Sequence, residues 1–272
     1  MQKIIIVIPV LNEEELLESF YNSLKKKCLQ IIKYEFKFLF VVDKSSDNTE
    51  KIINKICDKD KKCSCIIMDD VYGHQECLFA GLEYSKNFDL IITMDGDFQH
   101  PIELIEKMII RYEKGADAVF TIKRMKYKKK SITKFLTNCF YIFFNLISEV
   151  KILNNSSDFR LITKKILHKL LKKKWNSVPF LRGELLKLSY NKKVLHFTPI
   201  DRNIGHSKFT ILRLLRLAFL ALLSSSERPI KIIFSLLIVF LLSEIYLLKS
   251  SFPQNSEIIF YLLNYFLILF LM

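Results

Sequence analysis

Short apolar runs at 3–10, 36–42, 65–68 and 90–94, each leading through a polar turn into helical spacing, constrain the fold of this chain more than any other feature. The stretches 13–27, 50–57, 74–85 and 102–112 are the helical partners; Leu16, Leu17, Phe20 and Leu24 line up in the first, Leu78 and Leu82 in the third. Strand, turn and helix in this alternation predict an α/β fold, a mainly parallel sheet with helices on both faces. Ligands of such sheets gather at the carboxyl ends of the strands, where Asn12, Asp43 and Asp95 all fall.

The fourth run closes on Asp95-Gly96-Asp97, with Gln99, His100 and Pro101 directly after it. A hard divalent cation prefers oxygen ligands, and alternate residues of an extended chain aim two carboxylates at one ion. Taken alone, an Asp-x-Asp is also common in surface turns. Its place at the end of a buried strand favours a cation site, and through the cation a diphosphate. The chain has neither a Gly-rich phosphate loop nor a dinucleotide fingerprint, so phosphate must be neutralised by a cation on Asp95 and Asp97, helped by basic side chains.

At 272 residues the chain accommodates one sizeable domain and a smaller appendage, and its formal net charge of +14 predicts an anionic partner. The C-terminal region decides which. Residues 230–248 carry charge only at Lys231 and Glu244 and match the length of a membrane-crossing helix; a shorter apolar run follows at 258–272. A buried hairpin is the alternative for this pair. Membrane phospholipid or a phosphorylated substrate is therefore favoured over nucleic acid. Lys208, Arg213, Arg216, Arg228 and Lys231 crowd the near side of the first run while 250–257 holds no Lys or Arg, which by the positive-inside rule places the N-terminal part in the cytoplasm, at the inner membrane. The apolar start at 1–10 is too short for a cleavable signal peptide. The basic stretch 123–130 precedes Phe135, Phe140, Tyr141, Phe143, Phe144 and Leu146, a pattern suited to an interfacial helix over 131–148. The six cysteines lack zinc spacing and read as reduced thiols.

Seven fragments then follow one another in a recognisable order: Ile8-Pro9 with Asn12-Glu13; 43–49; Gly73-His74-Gln75; 94–101; Ser157-Asp158-Phe159-Arg160-Leu161; Phe180-Leu181-Arg182-Gly183; and 202–209. Together they resemble the family 2 glycosyltransferases with a polyprenyl phosphate acceptor, the dolichyl-phosphate mannose synthase and bactoprenol glucosyltransferase group. The resemblance implies a GT-A fold over 1–210, then a juxtamembrane helix and two transmembrane helices within 211–272. It implies a nucleotide pocket shaped by Pro9, Asn12, Glu13, Asp43 and Asp95, with Asp43 on the base. Asp95, Asp97 and Gln99 would surround Mg²⁺ or Mn²⁺ on the diphosphate of a nucleotide sugar, by implication a UDP-hexose. Lys123, Arg124, Arg160, Arg202, Ser207 and Lys208 would line the acceptor phosphate, and Asp97, Asp158 and Arg160 are the candidate catalytic residues. The aspartate before Phe159 and the paired hydrophobic segments are similar to the branch that uses bactoprenol (undecaprenyl) phosphate, whose members self-associate through their terminal helices. Three departures stand out: Val42-Asp43-Lys44 where the family has two acidic residues and a glycine, Leu11 in an aromatic position, and Asp69-Asp70 in basic ones.

The chemistry is plausible on physical grounds alone. A lipid phosphate is already an anion and attacks an anomeric carbon without a strong base, leaving the protein to position and to stabilise charge. Asp158 has other readings, as a helix N-cap or as an ion-pair partner of Arg160. His74 and His100 read equally well as hydrogen-bonded structural histidines, and Arg182 as a residue that pins a loop. Two competing functions are a non-catalytic membrane scaffold built on a degenerate transferase domain, and a transferase that elongates a polysaccharide.

Overall fold

The computed structural model describes residues 1–124, 153–175 and 178–200, and in the C-terminal segment residues 231, 234, 235, 237–241, 243 and 244. The chain divides into two compact units, Met1–Ser225 and Ser226–Met272. In the first unit the order is β1 (Gln2–Val10), α1 (Leu17–Leu29), β2 (Tyr34–Val42), α2 (Thr49–Lys59), β3 (Cys63–Ile67), α3 (His74–Tyr84) and β4 (Leu90–Thr93). It continues through α4 (Leu104–Glu113), β5 (Ala118–Lys123), β6 (Ser156–Thr163), α5 (Lys164–Lys172), α6 (Leu181–Leu188) and β7 (Lys192–Phe197).

These strands form a seven-stranded sheet in the order β3-β2-β1-β4-β6-β5-β7. Strand β6 alone runs antiparallel to its neighbours β4 and β5; the pairings β1 with β2, β1 with β4, β2 with β3 and β5 with β7 are parallel. Helices on both faces explain why 4–10 of β1, 38–42 of β2 and 90–93 of β4 are buried without a break rather than alternating. Ile4, Ile6, Ile8 and Val10 of β1 join a core with Leu17, Phe20 and Leu24 of α1, Ile53 of α2 and Met108 of α4. Ile5 and Val7 join the opposite core with Leu78 and Leu82 of α3, Ile166 and Leu170 of α5, and Leu185 of α6. The expected mainly parallel α/β sheet is thus present. The order in which strands are added reverses at β1, with β2 and β3 on one side and β4 on the other, and this switch point opens a crevice at the carboxyl ends of these parallel strands.

Helix α3 lies close against β1 because Gly81 has no side chain: a Cβ there would sit 2.3 Å from Val7 Cγ1. Gly81→Ala is therefore expected to cost about 1–3 kcal/mol by overpacking, read as a lower denaturant midpoint at unchanged m-value.

Strand β6 departs from regular pairing. Phe120 of β5 faces Arg160 while Ile122 faces Ser156, so Ser157, Asp158 and Phe159 all lie opposite Thr121. Such a bulge bends the strand and re-aims its side chains. Two buried threonines supply donors to the bulged carbonyls: Thr93 Oγ1 donates to Asp158 O (2.5 Å) and Thr121 Oγ1 to Phe159 O (2.7 Å). Hydroxyls on otherwise apolar strands are accounted for in this way.

In the second unit, the described residues between 231 and 244 are helical, and Leu237 to Leu241 are 43–63% exposed. Ser235 and Ser243 return their hydroxyls to the helix's own carbonyls at Lys231 (2.8 Å) and Phe240 (2.6 Å). Among the described residues no helix is long and apolar enough to cross a membrane. The expected interfacial helix at 131–148, the run at 258–272 and part of the run at 230–248 lie outside the described residues.

Candidate active site

The first two strand-to-helix turns are laced together. Asn12 takes a left-handed backbone (φ 53°), which asparagine tolerates better than most residues, and its Oδ1 accepts from Ser46 N (2.8 Å). Glu13 N donates to Thr49 Oγ1 (2.9 Å), Glu14 Oε2 accepts from Asn48 N (2.8 Å), and Asp47 Oδ2 accepts from Glu14 N (3.2 Å). These bonds hold 13–16 in a turn, so α1 begins at Leu17 rather than at 13. Pro9 is buried within β1. Asp43, 2% exposed, accepts from Tyr72 N on Oδ1 and from Gly73 N on Oδ2, both at 2.9 Å. Its carboxylate therefore fastens the tip of β2 to the start of α3, where Gly73 has φ 103°.

At the tip of β4 the chain makes a tight loop. Gly96 lies over β1, where a Cβ would come within 3.1 Å of Val10 Cγ1. Phe98 is left-handed (φ 59°), an uncommon state for a large side chain, and its ring meets Phe20 edge-on at 5.3 Å. Asp97 Oδ1 accepts from Gln99 N (3.1 Å). His74 Nε2 lies 2.9 Å from Asp95 Oδ1, while its Nδ1 is 4.0 Å from Asp158 Oδ2. Asp95 and Asp158 thus flank one imidazole.

Asp158 sits inside the β6 bulge, not at a helix start, so the N-cap reading fails and the ion-pair reading holds. Arg160 pairs with its Oδ1, and Arg182 of α6 reaches its Oδ2 through Nη2 at 2.6 Å. Burial by itself raises the Asp158 pKa, but the charges of Arg182 and Arg160 outweigh it and hold the carboxyl far below the usual carboxylate range. Burial also acts against Asp95, yet His100 and the hydrogen-bonded His74 bring it to about 2. His74 is itself raised: burial disfavours its charge, but Asp95 and then Asp158 favour it more.

Arg160, expected at the acceptor phosphate, is only 1% exposed and is committed to Asp158, so it acts on that carboxylate from within the core. Arg182 was not assigned a site role from sequence; it is the partly exposed guanidinium of this group, 38% by side chain. Lys123 ends β5 near enough to His100 for its charge to help lower that imidazole's pKa, after the larger effect of burial. Arg124 is exposed next to it. Arg202, Ser207 and Lys208 lie outside the described residues. A cavity of about 280 Å³, lined by Leu29, Ile32, Tyr34 and Phe36 among others, lies at the other end of the strands.

Among the described residues no three His, Cys, Asp or Glu side chains are grouped to hold a metal ion by themselves. Asp95, Asp97 and Gln99 are the oxygen donors that would hold Mg²⁺ or Mn²⁺ at this loop, together with substrate phosphates, since such ions are commonly held by one or two carboxylates.

A parallel sheet with acidic residues at the tip of β4, beside the β1–β4 crevice, defines a GT-A-type transferase fold. The chain belongs to glycosyl transferase family 2, whose model matches residues 5–171. A bactoprenol glucosyl transferase of Shigella phage SfX is 30% identical over 230 residues, 85% of this chain and 74% of that protein. A prophage bactoprenol glucosyl transferase homolog of Escherichia coli K12 is also 30% identical over 230 residues, with the same shares of the two chains. Among solved structures, glucosyl-3-phosphoglycerate synthase of Mycobacterium tuberculosis, in complex with Mn²⁺, UDP and phosphoglyceric acid, superposes with a TM-score of 0.51. At 16% identity, over 81% of this chain and 76% of that one, it shares the fold.

Proposed function

We propose that this glycosyltransferase moves a hexosyl group from a nucleotide sugar, UDP-hexose in the first instance, to a polyprenyl phosphate of the undecaprenyl type, with inversion. The transferase domain would face the cytoplasm at the inner membrane, anchored by 230–248 and 258–272, the segments through which copies would also associate. The observation that carries this reading is the row Asp95, His74, Asp158, Arg182, gathered where the carboxyl end of β4 meets the amino end of the antiparallel β6. It sets acidic groups for a cation beside guanidinium charge for an anionic acceptor. The relatives named as bactoprenol glucosyl transferases support the lipid acceptor.

In the transfer, an oxygen of the acceptor phosphate bonds to the anomeric carbon as the bond from that carbon to the nucleoside diphosphate breaks. A divalent cation held by Asp95, Asp97 and Gln99 would take up charge on the leaving diphosphate. The protein's share is placement. An aspartate whose pKa is held as low as that of Asp158 is a poor base, and a phosphate nucleophile needs none, so Asp158 serves by fixing Arg182 at the crevice. Lys123 and Arg124 add positive charge from the end of β5, with Arg202, Ser207 and Lys208 completing the acceptor side. Asp43, Pro9, Asn12 and Glu13 would form the nucleotide end, Asn12 and Glu13 held in the laced turns, Pro9 in β1 and Asp43 against the Tyr72 and Gly73 amides.

The test is to incubate membranes containing the protein with labelled sugar nucleotides and undecaprenyl phosphate, with and without EDTA, and to extract with organic solvent. An EDTA-sensitive, lipid-soluble product is expected. A polymeric product would mean polysaccharide elongation, and no product from any donor would leave the scaffold.

A further inference from the structure

His100 is the most enclosed polar ring near the crevice, and it makes contact in every direction. Its Nδ1 accepts the backbone N–H of Asp95 (3.0 Å), so the proton of the neutral ring is on Nε2. That Nε2–H donates to Ser157 Oγ (2.6 Å), and Ser157 Oγ also accepts from Phe159 N (3.3 Å). The ring stacks on Phe159 at 5.0 Å and 22°, and meets Phe197 edge-on at 5.7 Å. The imidazole therefore closes the loop 95–100 on itself and at the same time ties that loop to the bulge of β6. A left-handed Phe98 makes the closure geometrically possible by turning the chain back.

We infer that His100 is a positioning residue: it holds the Asp95–Asp97 loop in the conformation that receives a cation, at a fixed separation from Asp158 and its arginines. This rests on the proposal that Asp95 and Asp97 bind a divalent ion. The two hydrogen bonds run to the Asp95 backbone and to Ser157, and Nε2 also lies 3.5 Å from Asp95 Oδ2, so His100 holds the loop through its backbone and steadies the Asp95 carboxylate at longer range. The Nδ1 contact closes the loop; the Nε2 contact sets its distance from β6.

Two variants separate these roles from simple packing. His100→Phe keeps a ring on Phe159 but loses both hydrogen bonds. His100→Asn loses the ring but returns an acceptor, Oδ1, close to where Nδ1 stood. Binding of Mn²⁺ to the full-length protein in detergent, with UDP present, is followed by the electron paramagnetic resonance signal of the free ion, alongside thermal melts. Both variants should melt several degrees lower. His100→Phe should bind Mn²⁺ about tenfold more weakly, the effect of one unmade buried hydrogen bond, and His100→Asn within about threefold of the parent. If both variants keep parental affinity, or both lose it equally in step with their melting temperatures, His100 is only a packing residue and the inference is wrong. Should His100→Phe not fold, His100→Asn decides alone: near-parental affinity supports the inference, a tenfold loss overturns it. A parent protein that binds no Mn²⁺ with UDP removes the cation reading itself, and the inference with it, a result distinct from a parent that binds and variants that do not differ.

Discussion

Asp158→Ala is expected to lower stability by about 3–5 kcal/mol, a melting temperature drop of roughly 10 °C for a domain of this size, because it strands a charge in the core. Arg160 is 1% exposed between β4 and β5, where Thr93 and Phe120 are its cross-strand neighbours, and the carboxylate of Asp158 is its ion-pair partner. Arg182 also loses this ion pair, but 38% of its side chain is exposed and can be hydrated, and Arg182→Ala should cost only about 1 kcal/mol. The carboxyl's own titration leaves the loss in Asp158→Ala nearly constant across the neutral range, apart from a smaller contribution through His74, whose pKa Asp158 helps to raise. A carboxyl held below its ordinary value of 3.8 contributes in full above that value, and the contribution fades only as pH falls toward its depressed pKa in strong acid. The double replacement Asp158→Leu with Arg160→Met removes both charges and should regain most of the stability without regaining transfer. Denaturant midpoints of the purified protein measure all three variants against the parent; a loss below about 1 kcal/mol in Asp158→Ala would mean that Arg160 has another partner.

This core ion pair also marks where sequence reasoning stopped. Strands β1, β2 and β4 were legible because their central residues are buried on both faces and so read as apolar runs between polar turns, each with a helix pattern after it; the edge strand β3 is only partly buried and was read from its short apolar run. Strand β6 has the same buried position but carries Ser157, Asp158 and Arg160, and its charges are tolerable only through partners that sequence order does not reveal. Arg182, 24 residues further on, is one of these partners, brought in by the packing of α6. The single antiparallel strand was illegible for the same reason, since nothing in 156–163 alternates or caps in a way that signals direction. The Asp95-Gly96-Asp97 tip was readable from local order alone, and so was the neighbouring His100, but only as a residue type. That His100 closes the loop depends on the left-handed Phe98 and on the β6 bulge, both set by tertiary contacts. The late start of α1 has a similar origin: Glu14 is drawn from the helix pattern by Asn48, a residue of the next turn.

The site's charges are arranged in alternation, Asp95, His74, Asp158, then Arg160 and Arg182, so that each is compensated before any ligand arrives. Such a row is stiff, because each member is held by the charge of the next. Asp97 stands outside this row, at the tip of the same loop, and can be altered without breaking it. Asp97→Asn is expected to reduce glycosyl transfer a hundredfold or more while leaving the fold intact. The amide matches the carboxylate in size at a position only 9% exposed, and its Oδ1 still accepts from Gln99 N, so neither packing nor the loop hydrogen bond is lost. What disappears is one negative charge among the hard-ion donors, and with it affinity for Mg²⁺ or Mn²⁺. Melting within about 2 °C of the parent, together with the loss of lipid-soluble product, is the expected pair of results. Raising Mn²⁺ should restore part of the rate, because a missing charge weakens binding before it weakens the transfer step. A defect indifferent to Mn²⁺ would instead put Asp97 on the nucleotide, and an unchanged rate would remove it from the chemistry.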